Sequence, residues 1–155
     1  MGIVTSLFGS DLPGTGGEAR ANLSSIRVLL VEDILVNQIN TRQLLSHWGI
    51  NLVIASDGWK AVKLCREQEF DIILMDVSMP VMDGLEATML IRRDELLQPE
   101  HPMCPIVAYT SGWSDADRKT WQKVGINDNL HKPATVENMG ACLLKWSRFC
   151  RQASI

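Results

Sequence analysis

Five polar or charged residues stand at the ends of four separated apolar runs in this sequence. Glu32 and Asp33 come first, followed along the chain by Asp76, Thr110 and Lys132. Carboxylates are ligands that Mg²⁺ prefers, and a hydroxyl and an ammonium group can contact phosphoryl oxygens. If the fold brings these side chains together, they indicate magnesium-dependent transfer of a phosphoryl group to a carboxylate.

The elements that must position these residues are short apolar runs that alternate with stretches of helical periodicity. The predicted strands cover residues 26–31, 52–55, 71–76, 106–110 and 129–131. The predicted helices run from 35 to 48, from a cap at Asp57 to about 69, from after Gly84 to about 97, from a cap at Ser114 or Asp115 to before Gly125, and from a cap at Thr135 through Phe149. Strands that alternate with helices predict a parallel sheet that is covered on both faces. Because ligand sites in such sheets lie at the carboxyl ends of the strands, the five residues are expected to meet at one edge.

The expected site is crowded with acids. Glu32, Asp33 and Asp76 would repel one another unless a cation joined them, and a partly hydrated site rich in oxygen ligands suits Mg²⁺. Lys132 would then pair with one phosphoryl oxygen, and Thr110 would donate a hydrogen bond to another. Such contacts stabilise the negative charge that is spread over a phosphoryl group during its transfer.

Four segments in this order resemble the receiver domain of two-component and phosphorelay response regulators. They read VLLVED at 28–33, DVSMPVMDG at 76–84, IVAYTS at 106–111 and LHKP at 130–133. The resemblance extends from Arg27 to about Phe149. It implies a doubly wound α/β fold like that of chemotaxis regulators, in which five helices flank a five-stranded parallel sheet with the strand order 2-1-3-4-5.

The resemblance also implies roles for single residues. The phosphoryl group is implied to bind covalently to Asp76 and to be contacted by Thr110 and Lys132. The implied Mg²⁺ ligands are Asp33, Asp76 and the backbone carbonyl of Ser78, with Glu32 reached through a water molecule.

The phosphoryl donor implied by the family is a histidine kinase or a histidine phosphotransfer protein. We expect it to dock on the start of the first helix, at Ile34, Leu35 and Gln38, because these residues border the acidic pair. Asn37 is similar to receivers of hybrid histidine kinases, whereas Ile34 stands where such receivers often carry Asn. The favoured interpretation is the receiver of a hybrid histidine kinase.

The sequence departs from the family pattern at Asn129. The family usually carries Tyr or Phe three residues before the lysine, and this ring turns inward on phosphorylation. The only tyrosine here is Tyr109, on a different predicted strand. We therefore expect the change on phosphorylation to be confined to Thr110, Ser111 and the loop to Trp113.

Other functions with a similar architecture fit less well. A haloacid-dehalogenase-type phosphatase needs a second Asp two residues after its nucleophile, where this chain has Ser78. A flavodoxin-like electron carrier needs a phosphate-binding loop after the first strand, where Glu32 and Asp33 would repel a phosphate. A receiver that is never phosphorylated and serves only as an interaction module stays open, although the complete set of acids, Thr110 and Lys132 argues against it. Apart from its own phosphorylation and dephosphorylation, the domain is expected not to be an enzyme.

Composition limits the partners. The chain of 155 residues has 15 basic and 18 acidic residues, a formal net charge of −3, so we expect neither nucleic acid nor membrane surface as a partner. No apolar run approaches the roughly 20 residues that span a bilayer, and the start lacks the pattern of a signal peptide. The four cysteines, Cys65, Cys104, Cys142 and Cys150, have neither zinc-site nor disulfide spacing, which predicts thiols in a reducing cytoplasm.

The first residues differ in composition from the rest. Residues 1–24 are rich in Gly, Ser and Pro, which predicts a flexible leader or linker before a receiver domain at 25–152. Since few residues follow Lys132, we expect no output domain after it in this sequence. We expect a cytoplasmic monomer, either a stand-alone receiver or one that belongs to a larger kinase, including the cytoplasmic part of a membrane-bound hybrid kinase.

Overall fold

A computed structural model describes residue 17, residues 22–79 and residues 81–153, with the backbone alone at 148–153. In this part of the chain, strands and helices alternate as predicted. The strands are β1 (Arg27–Val31), β2 (Asn51–Ala55), β3 (Ile72–Met75), β4 (Ile106–Thr110) and β5 (Asp128–His131), and the helices are α1 (Leu35–Leu45), α2 (Gly58–Glu67), α3 (Gly84–Leu96), α4 (Asp115–Val124) and α5 (Val136–Ala153). Most of the predicted leader and the side chain of Phe149 lie outside the described residues.

The five strands form one parallel sheet with the order β2-β1-β3-β4-β5, which confirms the predicted fold. The central strands β3 and β4 are buried throughout, and so is β1 apart from its first residue. Because successive side chains of a strand point to opposite faces, Val28 and Leu30 join one core layer with Leu143 of α5. Leu29 joins the other layer with residues of α2, α3 and α4. The strands that are covered on both faces are therefore the ones whose sequences are continuous apolar runs, without alternating polar residues.

Some element boundaries differ from the predicted ones. β3 is shorter at both ends than the predicted stretch 71–76, although the Asp76 N–H still donates to the Val31 carbonyl at 3.0 Å. α1 ends at Leu45, and a 3₁₀ helix, Ser46–Trp48, follows it to Gly49. Gly49 has a φ of 64°, a conformation that ends helices and that glycine adopts without steric cost.

Three predicted helix caps are present. The Asp57 carboxylate accepts from the Lys60 N–H at 2.8 Å, and Thr135 accepts from the N–H three residues later at 3.1 Å. Of the two candidates for α4, Ser114 is the cap, and it exchanges hydrogen bonds with Asp117 in a capping box. These hydrogen bonds lower the pKa of the Asp117 carboxyl, so the cap persists at mildly acidic pH. Each cap fixes the residue at which a helix begins.

The cysteines in the described residues carry thiols rather than disulfides. Burial, with the negative charge of Glu95, raises the pKa of the Cys65 thiol to about 12. Burial, with the negative charge of Asp128, raises that of Cys142 to about 12 as well. Both thiols are thus protonated and unreactive at neutral pH. None of the helices that the structure describes combines the length and the apolar character that a bilayer crossing requires.

Gly84 lets α3 pack against the chain that follows β3. A Cβ atom at this position would collide with the Asp76 carbonyl oxygen and would lie 2.8 Å from the Val77 Cα. The Gly84 N–H donates to the Val77 carbonyl at 3.0 Å, and the Asp83 carboxylate caps the helix by accepting from the Glu86 N–H at 2.9 Å. The backbone that presents Asp76 therefore depends on a residue without a side chain at the start of α3.

We expect Gly84→Ala to lower the free energy of unfolding by roughly 1–3 kcal/mol, because the added methyl group must push the α3 backbone from the Asp76–Val77 backbone. Urea denaturation would measure the change. The control is Met89→Ala on the same helix, where the side chain is exposed and the expected change is about 0.5 kcal/mol or less. Equal losses in the two variants would contradict the proposed close approach.

Candidate functional site

The carboxyl ends of four strands meet at one edge of the sheet. Glu32 and Asp33 follow β1, Asp76 follows β3, Thr110 ends β4 and Lys132 follows β5. Hydrogen bonds between side chains connect these strand ends directly. All five residues that the sequence singled out for chemistry thus lie in one site.

Three donors hold the carboxylate of Asp76. Its Oδ1 atom accepts from the Ser78 N–H at 3.1 Å and from the Thr110 hydroxyl at 3.2 Å. Its Oδ2 atom accepts from the Lys132 ammonium at 3.2 Å. Asp76 is only 6% exposed, so these donors replace most of the water that a carboxylate would otherwise bind. The carboxylate is held in one orientation, in which neutral donors contact Oδ1 and the charged ammonium contacts Oδ2.

The carboxylate of Glu32 is fully buried and is held by donors of its own. Its Oε1 atom accepts from the Ile34 N–H at 3.1 Å and from the Asn37 amide at 3.3 Å. Its Oε2 atom is hydrogen-bonded to the Lys132 ammonium. Asn37 was singled out by resemblance alone, and the structure gives it a physical task, which is to orient Glu32.

Lys132 is shared between two acids rather than assigned to one. Its ammonium forms ion pairs with Glu32 and Asp76, and its side chain is 13% exposed. It also lies 5.5 Å from the centre of the buried Tyr109 ring, within the range of a cation–π contact. With Asp33 included, three carboxylates stand against one ammonium, so the site has a deficit of positive charge.

The acids form a group that could hold a metal ion. Glu32, Asp33 and Asp76 each offer one carboxylate oxygen, and these oxygens lie within 4.8 Å of one another. The Asp33 Oδ1 atom is buried and, within the described part of the chain, has no hydrogen-bond partner. A buried acceptor without a partner is costly, and a hard cation would supply what it lacks. The donor set therefore fits Mg²⁺, as the sequence predicted.

The residues predicted to dock a partner differ from one another in exposure. Ile34 and Leu35 are 51% and 66% exposed at the start of α1. Gln38 is half-buried, and its amide donates to the Glu32 carbonyl at 2.7 Å, so it also fixes the end of β1. Val36 and Ile39 are exposed on the same helix and were not predicted, although apolar residues at helical spacing beside an acidic pair were a readable signal.

The chain matches the family model described as the response regulator receiver domain over residues 28–143. The sensor protein GacS of Pseudomonas syringae pv. syringae is 35% identical over 121 residues, which are 78% of this chain and 13% of that protein. Two-component system protein A of Emericella nidulans is 37% identical over 145 residues, which are 91% of this chain and 20% of that protein. The chain thus corresponds to a small part of these relatives.

Solved structures show the same fold. A receiver domain of a Pseudomonas aeruginosa sensor histidine kinase, with a magnesium ion in its active site cleft, is 35% identical, with a TM-score of 0.71 over 79% of this chain and 98% of that one. A receiver domain of the Saccharomyces cerevisiae response regulator Ssk1, crystallised with the histidine phosphotransfer protein Ypd1, is 31% identical, with a TM-score of 0.75 over 83% of this chain and 91% of that one.

The family match covers the sheet except Arg27, the first residue of β1, and it covers every residue of the strand-end site. The relatives above include a sensor protein and a response regulator, and the sheet order is the one that the sequence predicted. This chain belongs to the response regulator receiver domain family.

Proposed function

We propose that the domain accepts a phosphoryl group on Asp76 from a phosphohistidine donor, in a reaction that requires Mg²⁺. The observation that carries the proposal is the carboxylate of Asp76, oriented by Ser78, Thr110 and Lys132 beside two further acids. A receiver that is never phosphorylated would not need this complete set. The domain would promote its own phosphorylation and dephosphorylation, without turning over a substrate.

In the proposed step a carboxylate oxygen of Asp76 attacks the phosphorus atom. The bond from phosphorus to the donor's histidine nitrogen breaks as the bond to the Asp76 oxygen forms, which leaves an acyl phosphate and a free imidazole. The Thr110 hydroxyl, now 3.2 Å from Asp76 Oδ1, would donate to a phosphoryl oxygen instead. Lys132 can move to another phosphoryl oxygen, since Glu32 keeps its hydrogen bonds from Ile34 and Asn37.

The proposed metal ligands are Asp33, Asp76 and the Ser78 carbonyl, with Glu32 acting through a water molecule. When bound there, Mg²⁺ would offset the negative charge that separates the acids from an incoming phosphoryl group. Asp33 is the acid best suited to bind it directly, since its buried Oδ1 atom has no hydrogen-bond partner among the described residues. Glu32 is already held by three donors.

The proposed donor is a histidine kinase or a histidine phosphotransfer protein that docks on α1. Ile34 and Leu35 are exposed apolar side chains beside the acidic site, and Gln38 borders them. The structural relative crystallised with Ypd1 supports a phosphotransfer partner. The related sensor kinases support a place in a hybrid histidine kinase, and the thiol cysteines support a cytoplasmic location.

We expect Asp76→Asn to abolish phosphorylation by acetyl phosphate and Mg²⁺, because the amide that replaces the carboxylate is a poor nucleophile. The measurement is intact-protein mass together with hydroxylamine-sensitive labelling. Asp57→Asn is the matched control, since Asp57 caps α2 and asparagine caps a helix equally well. Full labelling of Asp76→Asn would refute the assignment, and an unlabelled wild-type protein would favour the pseudo-receiver.

Removal of one acid should weaken Mg²⁺ binding according to its place in the site. We expect Asp33→Ala to lose about tenfold or more in affinity and Glu32→Ala to lose less, because Glu32 is expected to reach the ion only through water. Calorimetric titration of each variant with MgCl₂ would measure this. An unchanged affinity in Asp33→Ala would contradict the site as proposed.

A protein donor and a small-molecule donor together distinguish the docking surface from the phosphorylation site, because only the protein donor needs to dock. We expect Leu35→Glu to slow transfer from a phosphorylated histidine phosphotransfer protein and to leave phosphorylation by acetyl phosphate unchanged, because the small donor needs no protein contact. Rapid-quench rates with both donors would measure this. The matched control is Leu96→Glu on α3, where another exposed leucine lies outside α1. If Leu35→Glu slowed both donors alike, the substitution would have damaged the site itself.

A further inference from the structure

Trp113 lies between the phosphoryl-binding strand ends and α4. It follows Thr110 by three residues, on the loop that leads from β4 to α4. Its ring stacks on the His131 imidazole, with the ring centres 4.6 Å apart and the planes inclined by 23°. It meets the buried Trp121 of α4 edge to face at 5.8 Å, and the Arg118 guanidinium lies over it at 5.6 Å. One side chain therefore contacts both β5 and α4.

The strands on either side of Trp113 carry the two proposed phosphoryl contacts. Thr110 is the last residue of β4, and His131, the last residue of β5, is its partner in the sheet. Lys132 follows His131 directly, and its N–H donates to the Thr110 carbonyl at 3.1 Å. Thr110 and Lys132 already contact the Asp76 carboxylate, so a phosphoryl group on Asp76 would displace both contacts, and any shift of either strand end would alter the Trp113–His131 stack.

The loop is built to allow a second position of Trp113. Gly112, directly before it, has a φ of 65° and open space around the place where a Cβ atom would be, so it can serve as a pivot. The indole N–H of Trp113 is buried and, among the described residues, has no hydrogen-bond acceptor. A buried donor without an acceptor raises the energy of this arrangement, so a loop position that supplies one can compete with it.

Neither Asn129 nor Tyr109 is placed to pass a change from Thr110 to α4. Asn129 lies half-buried in β5 and has no ring. Tyr109 is 4% exposed and packs in the core layer that contains α5 residues, so close-packed neighbours hold it in place. Trp113 is half-buried on a loop and contacts elements on both sides.

We infer that Trp113 is a positioning residue that carries the phosphorylated state of Asp76 from Thr110 and His131 to α4. The inference rests on the proposed function, since it needs a phosphoryl group on Asp76. It departs from the expectation drawn from the sequence, in which the change is confined to Thr110, Ser111 and the loop to Trp113, because it carries the change on to His131 and to the face formed by α4. That face is then the surface on which a partner would distinguish the two states.

The test compares the protein with and without beryllofluoride and Mg²⁺, which mimic the aspartyl phosphate. Fluorine NMR detects the bound beryllofluoride, and proton–nitrogen NMR follows the Trp121 indole and the α4 backbone amides. In the wild-type protein both are expected to change. In Trp113→Ala beryllofluoride should still bind, whereas the Trp121 and α4 shifts should be lost. Trp113→Phe keeps a ring against His131 and should restore them.

The outcomes distinguish a failure of the role of Trp113 from a failure of the proposed function. Full Trp121 and α4 shifts in Trp113→Ala with bound beryllofluoride would overturn the role of Trp113 and leave the proposed function standing. Failure of the wild-type protein to bind beryllofluoride would overturn the proposed function and the inference with it. If Trp113→Ala does not fold, His131→Ala decides, because His131 is exposed and its removal breaks the same stack. Retained shifts there would refute the inference, and lost shifts would support it.

Discussion

The ammonium of Lys132 lies between the carboxylates of Glu32 and Asp76 and joins the ends of three strands. Its partners are 100 and 56 residues away in the sequence, and from the edge strand β5 it reaches Asp76 across β4 and Glu32 across β4 and β3. All three groups are largely withdrawn from water, so the removal of one partner would leave a buried charge without compensation. The arrangement of the remaining polar groups at this edge follows from where that ammonium sits.

One ammonium cannot neutralise three acids, and the remaining imbalance gives the site its chemistry. Asp33 has a buried oxygen without a partner in the described part of the chain, and Asp76 is held by donors that can move to a phosphoryl oxygen. A site with fully satisfied charges would be more stable but would offer nothing to a cation or a phosphoryl group. The close approach of Gly84 to the backbone of Asp76 and Val77 holds the Asp76 backbone in place, so the excess of negative charge stays at this edge of the sheet.

The fold could be predicted because strands buried on both faces are continuous apolar runs, and the site could be predicted because such strands end at one edge. Contacts between side chains could not be predicted from the sequence. Lys132 was expected to meet a phosphoryl oxygen, yet in this structure it pairs with Glu32, which depends on side-chain reach across β4 and β3. Gln38 was expected on the docking surface, but its amide turns back to the carbonyl of Glu32, just after β1, a choice of rotamer that helical spacing does not determine. The stack of Trp113 on His131 joins the loop after β4 to the end of β5, and no local pattern specifies the path of that loop.

The place of an aromatic ring decides how much of the domain must move with it. A ring inside a close-packed layer, such as Tyr109, cannot turn without repacking its neighbours, and such repacking couples to the whole sheet. A ring on a loop beside Gly112 can change position while the sheet stays fixed. The sheet backbone can then stay in place while Thr110 and Lys132 exchange their contacts with the Asp76 carboxylate for contacts with a phosphoryl group, and the loop with Trp113 passes that change to α4. A receiver without a ring at Asn129 thereby keeps a route from its site to its surface, because the route leaves from the end of β4 and needs no movement in the core.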